Sequence, residues 1–433
     1  MNTATTTADD PSTRGAGPIR RCFLTQVFSA TEGLLWRSRR LDARRLVLGR
    51  EPGDGELVVD DGKASRRHCE LVHQPESGRY RLRDLGSKNG TFLDAVRVES
   101  EILLGCAVVR VGGALFVYNE VETPLRFDQL PNEVGVSPVR AMANRMIDLA
   151  ASAELPVLIT GPTGAGKELL ARRLHEASGR RGPFVPVNCA GFSRELVGSE
   201  LFGHVKGAFS GANSNRAGLF AAAAEGTIFL DEIADLPLDQ QPALLRALQY
   251  RRIRPVGADR EQSVDARVVT ATHRDLDDMQ VRGLFRDDLY ARIASVHVRL
   301  PGLTERREEL LSLFRDAAGY SMPPLQFEAA EALLLHGWPY NVREVHQAAA
   351  AVRLFAGGAE SLGPDLLPAA IRHSRDARLT APEADTPIDP THLSRLMKRH
   401  AGNVTDVGRA LGRSRQQIYR LLRLYRLDLD DFR

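Results

Sequence analysis

Gly161-Pro162-Thr163-Gly164-Ala165-Gly166-Lys167 follows the apolar run Val157-Leu158-Ile159 and leads into a helical stretch over Glu168–His175. Strand, glycine-rich loop and helix in this order make a cradle for phosphate groups. The glycines let backbone N–H groups converge on an anion, the helix start adds positive potential, and Lys167 reaches the terminal phosphates. Further buried-type runs, Ile228-Phe229-Leu230 and Arg267-Val268-Val269-Thr270, alternate with helical stretches up to about residue 300. That alternation predicts a parallel α/β sheet. The strand Gly226–Leu230 delivers two carboxylates at its end, Asp231 and Glu232. Asp231 is placed to orient Mg²⁺ and its water, and Glu232 to polarise an attacking water. Glu168 stands where such loops usually carry a Ser or Thr hydroxyl for the metal, so metal binding leans on Asp231.

A chain of 433 residues, 43% hydrophobic and 26% charged, is long enough for about three soluble domains. Residues 1–19 read as a disordered tail, Thr-, Ala- and Asp-rich and unlike a secretory signal. From 20 to 118, short runs such as Tyr80-Arg81-Leu82-Arg83, Val108-Val109-Arg110-Val111 and Leu115-Phe116-Val117 alternate like strands. Turn signals at Ser77-Gly78 and Asn89-Gly90 separate them, predicting an antiparallel all-β sandwich. A polar connector (119–131) leads to the α/β segment (132–300). Helical patterns then fill 301–373, a Pro-, Ala- and Asp-rich linker covers 374–390, and residues 391–433 are helical and basic. From His392 to Arg426 nine Lys or Arg face one acid, Asp406, an electrostatic footprint for nucleic acid. The scattered Cys22, Cys69, Cys106 and Cys189 form no C-x-x-C pair, which fits a reducing compartment. No apolar run reaches membrane-spanning length, and the expected location is the cytoplasm.

From about Asn132 to Phe355 the chain resembles the AAA+ central domain of sigma-54-dependent activators, the bacterial enhancer-binding proteins. The resemblance rests on Gly166-Lys167-Glu168, Phe184-Val185-Pro186-Val187-Asn188-Cys189-Ala190 and Ser199-Glu200-Leu201-Phe202-Gly203-His204. Phe285-Arg286 through Arg292 and Trp338-Pro339-Tyr340-Asn341-Val342-Arg343-Glu344 complete it. It implies an ATPase using ATP and Mg²⁺, with Asn188 holding or releasing Glu232 according to nucleotide state. Arg286 and Arg292 look like arginine fingers offered to a neighbouring subunit, which implies a hexameric ring. Arg343 looks like the lid sensor of bound nucleotide. His273 stands where this family has a sensor Asn, and Tyr340 where it has Gly. Gly207-Ala208-Phe209-Ser210-Gly211-Ala212 is similar to the loop that touches sigma-54 in this family, with Ser210 in place of Thr.

Leu48-Gly49-Arg50, Ser65-Arg66-Arg67-His68 and Ser87-Lys88-Asn89-Gly90-Thr91-Phe92 resemble a forkhead-associated (FHA) domain over about Arg45–Tyr118. Arg50, Ser65, Arg66 and Asn89 are its candidate phosphothreonine contacts, since a dianion needs a fixed guanidinium and loop donors. His68 is expected to brace the loops. The ligand is a separate phosphoprotein or the protein's own tail, with Thr3, Thr5, Thr6 and Thr7. At the other end Gly402–Arg420 resembles a Fis-type helix-turn-helix, with Val404, Val407, Leu411, Ile418 and Leu422 spaced as its core. Arg415, Gln416 and Gln417 point to base edges, and Arg413, Ser414 and Arg420 complete the expected double-stranded DNA contact.

Together these resemblances imply an ATP-driven activator that binds upstream DNA and remodels closed complexes of the sigma-54 RNA polymerase under phosphothreonine control. The alternative is a DNA-binding regulator that keeps the AAA+ fold without driving sigma-54, which Ser210 and His273 leave open.

Overall fold

The computed structural model describes residues 19–123, 135–319, 322–373, 390–400, 402–411, 418, 421–422, 425 and 427–432. The expected alternation builds a sandwich of strands β1 (Ile19–Ser29), β2 (Gly33–Leu41), β3 (Arg45–Gly49), β4 (Leu57–Val58), β5 (Cys69–Gln74) and β6 (Arg79–Asp84). It continues with β7 (Thr91–Leu93), β8 (Val96–Val98), β9 (Ser100–Ile102), β10 (Ala107–Val111) and β11 (Ala114–Thr123). One sheet has the order β2-β1-β11-β10-β7-β8, the other β4-β3-β5-β6-β9. Leu24, Leu48, Leu71, Leu82, Val109, Phe116 and Tyr118 fill the space between them. Pairing is antiparallel except between β3 and β4, which run parallel. The last strand runs past Tyr118 to Thr123, because Asn119–Thr123 pairs with Phe23–Ile19 of β1. The connector expected from residue 119 therefore begins as sheet.

The central segment contains a parallel sheet of β12 (Val157–Thr160), β13 (Phe184–Asn188), β14 (Thr227–Asp231), β15 (Arg267–Thr272) and β16 (Val296–Arg299). Its order is β13-β14-β15-β12-β16. Ile228, Phe229 and Leu230 are each at most 1% exposed, as expected of strands covered on both faces. Arg267, itself buried, donates to the carbonyls of Ala150, Ala151 and Ala153. It thereby satisfies the end of the helix Pro138–Ala151, whose last carbonyls have no partner within the helix. By packing, Val139–Glu309 with Trp338–Ala350 form one compact unit, and the described residues outside these segments form a second.

After residue 300 the described structure is helical, with helices Leu310–Ala318, Phe327–Leu335 and Asn341–Phe355. In the C-terminal part, Pro390–Arg399 and Val404–Ala410 are helices. Val404, Val407, Ile418 and Leu422 share a small core with Leu393 and Met397, and Leu411 packs against it. Arg413, Ser414, Arg415, Gln416, Gln417 and Arg420 lie outside the described residues. No helix among the described residues is long and apolar enough to cross a membrane.

Candidate active site

The phosphate loop is braced from behind. A Cβ on Gly161 would lie 2.4 Å from the Leu300 carbonyl oxygen, and one on Gly164 2.3 Å from that of Tyr340. Gly164 also takes φ +74°, so both space and backbone conformation require glycine there. Asn341 donates from Nδ2 to the Thr163 carbonyl at 2.9 Å and accepts from the Leu303 N–H at 2.7 Å. The Val342 N–H donates to the Gly164 carbonyl at 3.0 Å. Arg306, buried beside Glu309, donates to the Ala165 carbonyl at 2.6 Å. Desolvation pulls the Arg306 pKa down, which its neighbour Glu309 opposes. Sequence reasoning passed over Arg306 and gave Asn341, though it stands in the motif Trp338–Glu344, no role at the loop, because only the folded chain brings them behind it.

The cradle formed by these groups has the features that fit a nucleotide triphosphate. Loop N–H groups precede the helix Lys167–Ser178, with Gly166 as its N-cap. Lys167 is 6% exposed, and its Nζ donates to the Gly161 carbonyl at 3.1 Å and lies 3.8 Å from Glu232 Oε1. Glu168 faces outward and pairs with Arg172 one turn on, at 3.4 Å. Arg343 is exposed, and its Cβ lies 3.3 Å from where a Cβ on Gly164 would stand, so the lid motif crosses the loop.

β14 carries the acids. Burial pushes the Asp231 carboxyl up, Lys167 opposes the shift, and Glu232 adds to it. Asp231 Oδ1 accepts the backbone N–H of Glu232 at 3.0 Å. Glu232 adopts φ 52°, ψ 50°, a left-handed conformation that costs a non-glycine residue about 1–3 kcal/mol. That turn swings its carboxylate between Lys167 and His273, with His273 Nδ1 at 2.8 Å from Oε2. Facing an ionised carboxylate, Nδ1 is the donor of that hydrogen bond.

Asn188 ends β13 directly beside Asp231 in the sheet register. Its Oδ1 accepts the Ala190 N–H at 3.0 Å, capping a short turn, so the described hold on Glu232 comes from His273. Arg286 is half exposed and grips Asp288 through Nε at 3.0 Å and Nη2 at 2.7 Å. Arg292 is exposed and reaches the Leu248 carbonyl at 3.4 Å. Cys189 is buried under the acids, and its thiol is pushed up to about 12, chiefly by desolvation.

Gly207–Ala212 forms a tight tip closed by the Gly207 N–H donating to the Ala212 carbonyl at 2.8 Å. Phe209, 38% exposed, lies edge-on to His204 with ring centroids 5.1 Å apart. His204 Nδ1 is 2.7 Å from Ser199 Oγ, which fixes the base of the tip. Ser210 is exposed.

In the sandwich the phosphothreonine candidates gather at one loop edge. A Cβ on Gly49 would lie 2.1 Å from the Arg66 carbonyl oxygen, so glycine lets the two loops close. The Arg50 and Glu51 N–H groups donate to the Ser65 and Arg66 carbonyls. Ser65 Oγ accepts the Lys88 N–H, and Asn89 Nδ2 donates to the Lys63 carbonyl. His68 is fully buried, with Nδ1 accepting from the Ser65 N–H and Nε2 on the Gly90 carbonyl, and burial lowers its pKa. It braces the loops as expected. Among the described residues no group of three or more His, Cys, Asp or Glu forms a metal-binding cluster. Asp231 can nevertheless hold Mg²⁺ with phosphate oxygens and water, which is how this ion is commonly bound.

Two family models match the chain, a sigma-54 interaction domain over residues 134–299 and an FHA domain over 46–112. The chain is 40% identical over 306 residues to the transcriptional regulatory protein GlrR of Escherichia coli (strain K12), covering 69% of this chain and 68% of that protein. To the transcriptional regulatory protein ZraR of Klebsiella oxytoca it is 40% identical over 301 residues, covering 66% and 67%. Among solved structures, NtrX from Brucella abortus in complex with ATP matches with a TM-score of 0.50 and 30% identity, covering 68% of this chain and 69% of that one. These matches agree with the phosphate loop, the paired acids and the sandwich. The chain belongs to the sigma-54-dependent transcriptional regulators and joins an FHA domain to an AAA+ ATPase domain.

Proposed function

We propose that the protein hydrolyses ATP to remodel closed complexes of the sigma-54 RNA polymerase, from an upstream DNA site and under control of a phosphothreonine ligand. The observation that carries this reading is the carboxylate of Glu232, held between Lys167 and His273 at the mouth of the phosphate cradle. The loop N–H groups and Lys167 would hold the β- and γ-phosphates of ATP. Asp231 would hold Mg²⁺, which when bound would neutralise charge on the phosphate oxygens. Glu232 orients the attacking water and accepts its proton. Arg286 and Arg292 act on the γ-phosphate of a neighbouring subunit in a ring, and Arg343 ties the lid to nucleotide. Movement of the acids passes to the tip that carries Phe209 and Ser210, which engages sigma-54. The partners are thus sigma-54 polymerase, double-stranded DNA through Arg413–Gln417 and Arg420, and a phosphothreonine protein or tail. The test is strand opening at a sigma-54 promoter by permanganate footprinting. Opening with ATP but not with a non-hydrolysable analogue is expected, and opening without hydrolysis would contradict the mechanism.

Two results follow for single residues. His273→Ala should lower kcat for ATP by about tenfold, the scale of one lost orienting hydrogen bond near charge, with KM unchanged. His273→Asn should restore most of the rate, since an amide can still donate; steady-state kinetics of the three proteins decide it. Arg50→Ala should weaken retention on a phosphothreonine peptide library by about thirtyfold, the worth of a charge-assisted hydrogen bond. Equal retention of the phosphorylated and unphosphorylated libraries by the unaltered protein would remove the phosphate-reading role.

A further inference from the structure

The sandwich sheet is buried on a face that an isolated sandwich would leave to water. Val109, Phe116 and Tyr118 point into the core, so their neighbours Val108, Leu115 and Val117 point out, yet all three are at most 2% exposed. The residues opposite one another across that outer face form one row. Phe28 of β1 pairs with Leu115, Leu115 with Arg110, and Arg110 with Phe92 of β7.

The helix Phe327–Leu335 meets this row at two points four residues apart, a spacing that puts both on one helical face. Phe327 packs edge-on against Phe28, with centroids 6.1 Å apart. Glu331 receives Arg110 Nη1 at 3.1 Å from Oε1 and 3.4 Å from Oε2. The Glu331 side chain is 2% exposed and that of Arg110 16%. A carboxylate buried on a helix of alanines and leucines is costly unless a cation accompanies it. Arg110 brings such a cation to Glu331 from the sheet. The guanidinium carbon also lies over the Phe92 ring, 3.5 Å from its centroid. Phe92 follows the Asn89-Gly90-Thr91 segment, part of the candidate phosphothreonine edge.

We propose that the outer face of the six-stranded sheet is a docking surface whose partner is the chain's own helix Phe327–Leu335. Arg110 is its central docking residue, linking the phosphothreonine edge to the lid. The chain runs from Leu335 straight into Trp338–Arg343, so a shift of the docked helix changes how the lid motif meets nucleotide. This rests on reading the front domain as a phosphate reader and Arg343 as a nucleotide contact. The interface itself is the new element. Coupling between the two sites must be reciprocal.

The full-length protein tests it through Arg110→Met, Glu331→Leu and the double variant, with hydrogen exchange over Phe327–Leu335 and fluorescent-nucleotide titration as readouts. Removing the guanidinium from a buried carboxylate is disruptive, whereas replacing both partners by apolar groups is close to neutral. Arg110→Met should raise exchange across the helix about tenfold, the signature of local opening. It should also change ATP affinity about fivefold, the low end of ordinary coupling. The double variant should return both towards the unaltered values. Arg110→Met leaves the helix sequence intact, so its exchange reports docking rather than helix formation. Unchanged exchange in Arg110→Met, or a double variant no better than the single ones, overturns the proposal. Failure of the unaltered protein to bind ATP would instead strike the nucleotide-site reading, and the exchange readout would still judge the interface.

Discussion

Glu232→Gln is expected to lower ATP turnover by about 10²–10⁴-fold while leaving ATP affinity nearly unchanged, because a general base contributes on that scale. The amide keeps the size of the side chain and still offers an oxygen to His273 Nδ1, so the 2.8 Å contact can persist. What it lacks is a site for the water's proton. Lys167, the phosphate ligand, is left in place, so binding should survive. The left-handed backbone at Glu232 makes this swap preferable to Glu232→Ala, which removes the contacts of the side chain while retaining the strained φ of 52°. Steady-state ATPase kinetics with a separate nucleotide titration separate the two effects. A variant that hydrolyses ATP within a fewfold of the unaltered rate would transfer the base role elsewhere.

Phe209→Ala should abolish promoter opening, by about thirtyfold or more on the scale of an aromatic anchor at an interface, with ATP turnover intact. Phe209 is large, partly exposed and lies at a glycine-bounded tip, and its described ring contact is the edge of His204. Removing the ring therefore takes little from the fold and much from a partner. His204 in turn is fixed by Ser199, so His204→Ala should loosen the tip and give a milder loss in the same assay. Turnover falling in parallel with opening would place Phe209 in the hydrolytic machinery instead.

Legibility followed contiguity. The phosphate loop, the Asp231-Glu232 pair and the Phe209 tip are unbroken strings, and the loop is found between strand and helix and the acids at a strand end, the order read from those strings. Contacts between distant segments were not legible. His273 stands far from Glu232 in the chain, and only the side-by-side packing of β14 and β15 brings them together. Arg306 reads as an ordinary polar residue, and Asn341 as a motif residue without a contact, until the fold sets them behind Thr163–Ala165. In β10 and β11 the strand signal was correct, but two-faced burial was not read. An unbroken Val108-Val109 and Leu115-Phe116-Val117 is the pattern of strands covered on both sides, and Phe327 and Glu331, far along the chain, meet Phe28 and Arg110 on that outer face. The position of Arg110 in that run, a charge among buried valines, was the available hint.

The central claim is that nucleotide held by Lys167, Asp231 and Glu232 drives the Phe209 tip into sigma-54. Its most direct measurement is capture of purified sigma-54 by the full-length protein with no nucleotide, with ADP, and with ADP–aluminium fluoride and Mg²⁺. Stable capture only with the transition-state mimic, lost in Phe209→Ala, is the predicted result. Nucleotide trapped in the site without capture of sigma-54, or capture equally strong in all three states, would contradict it.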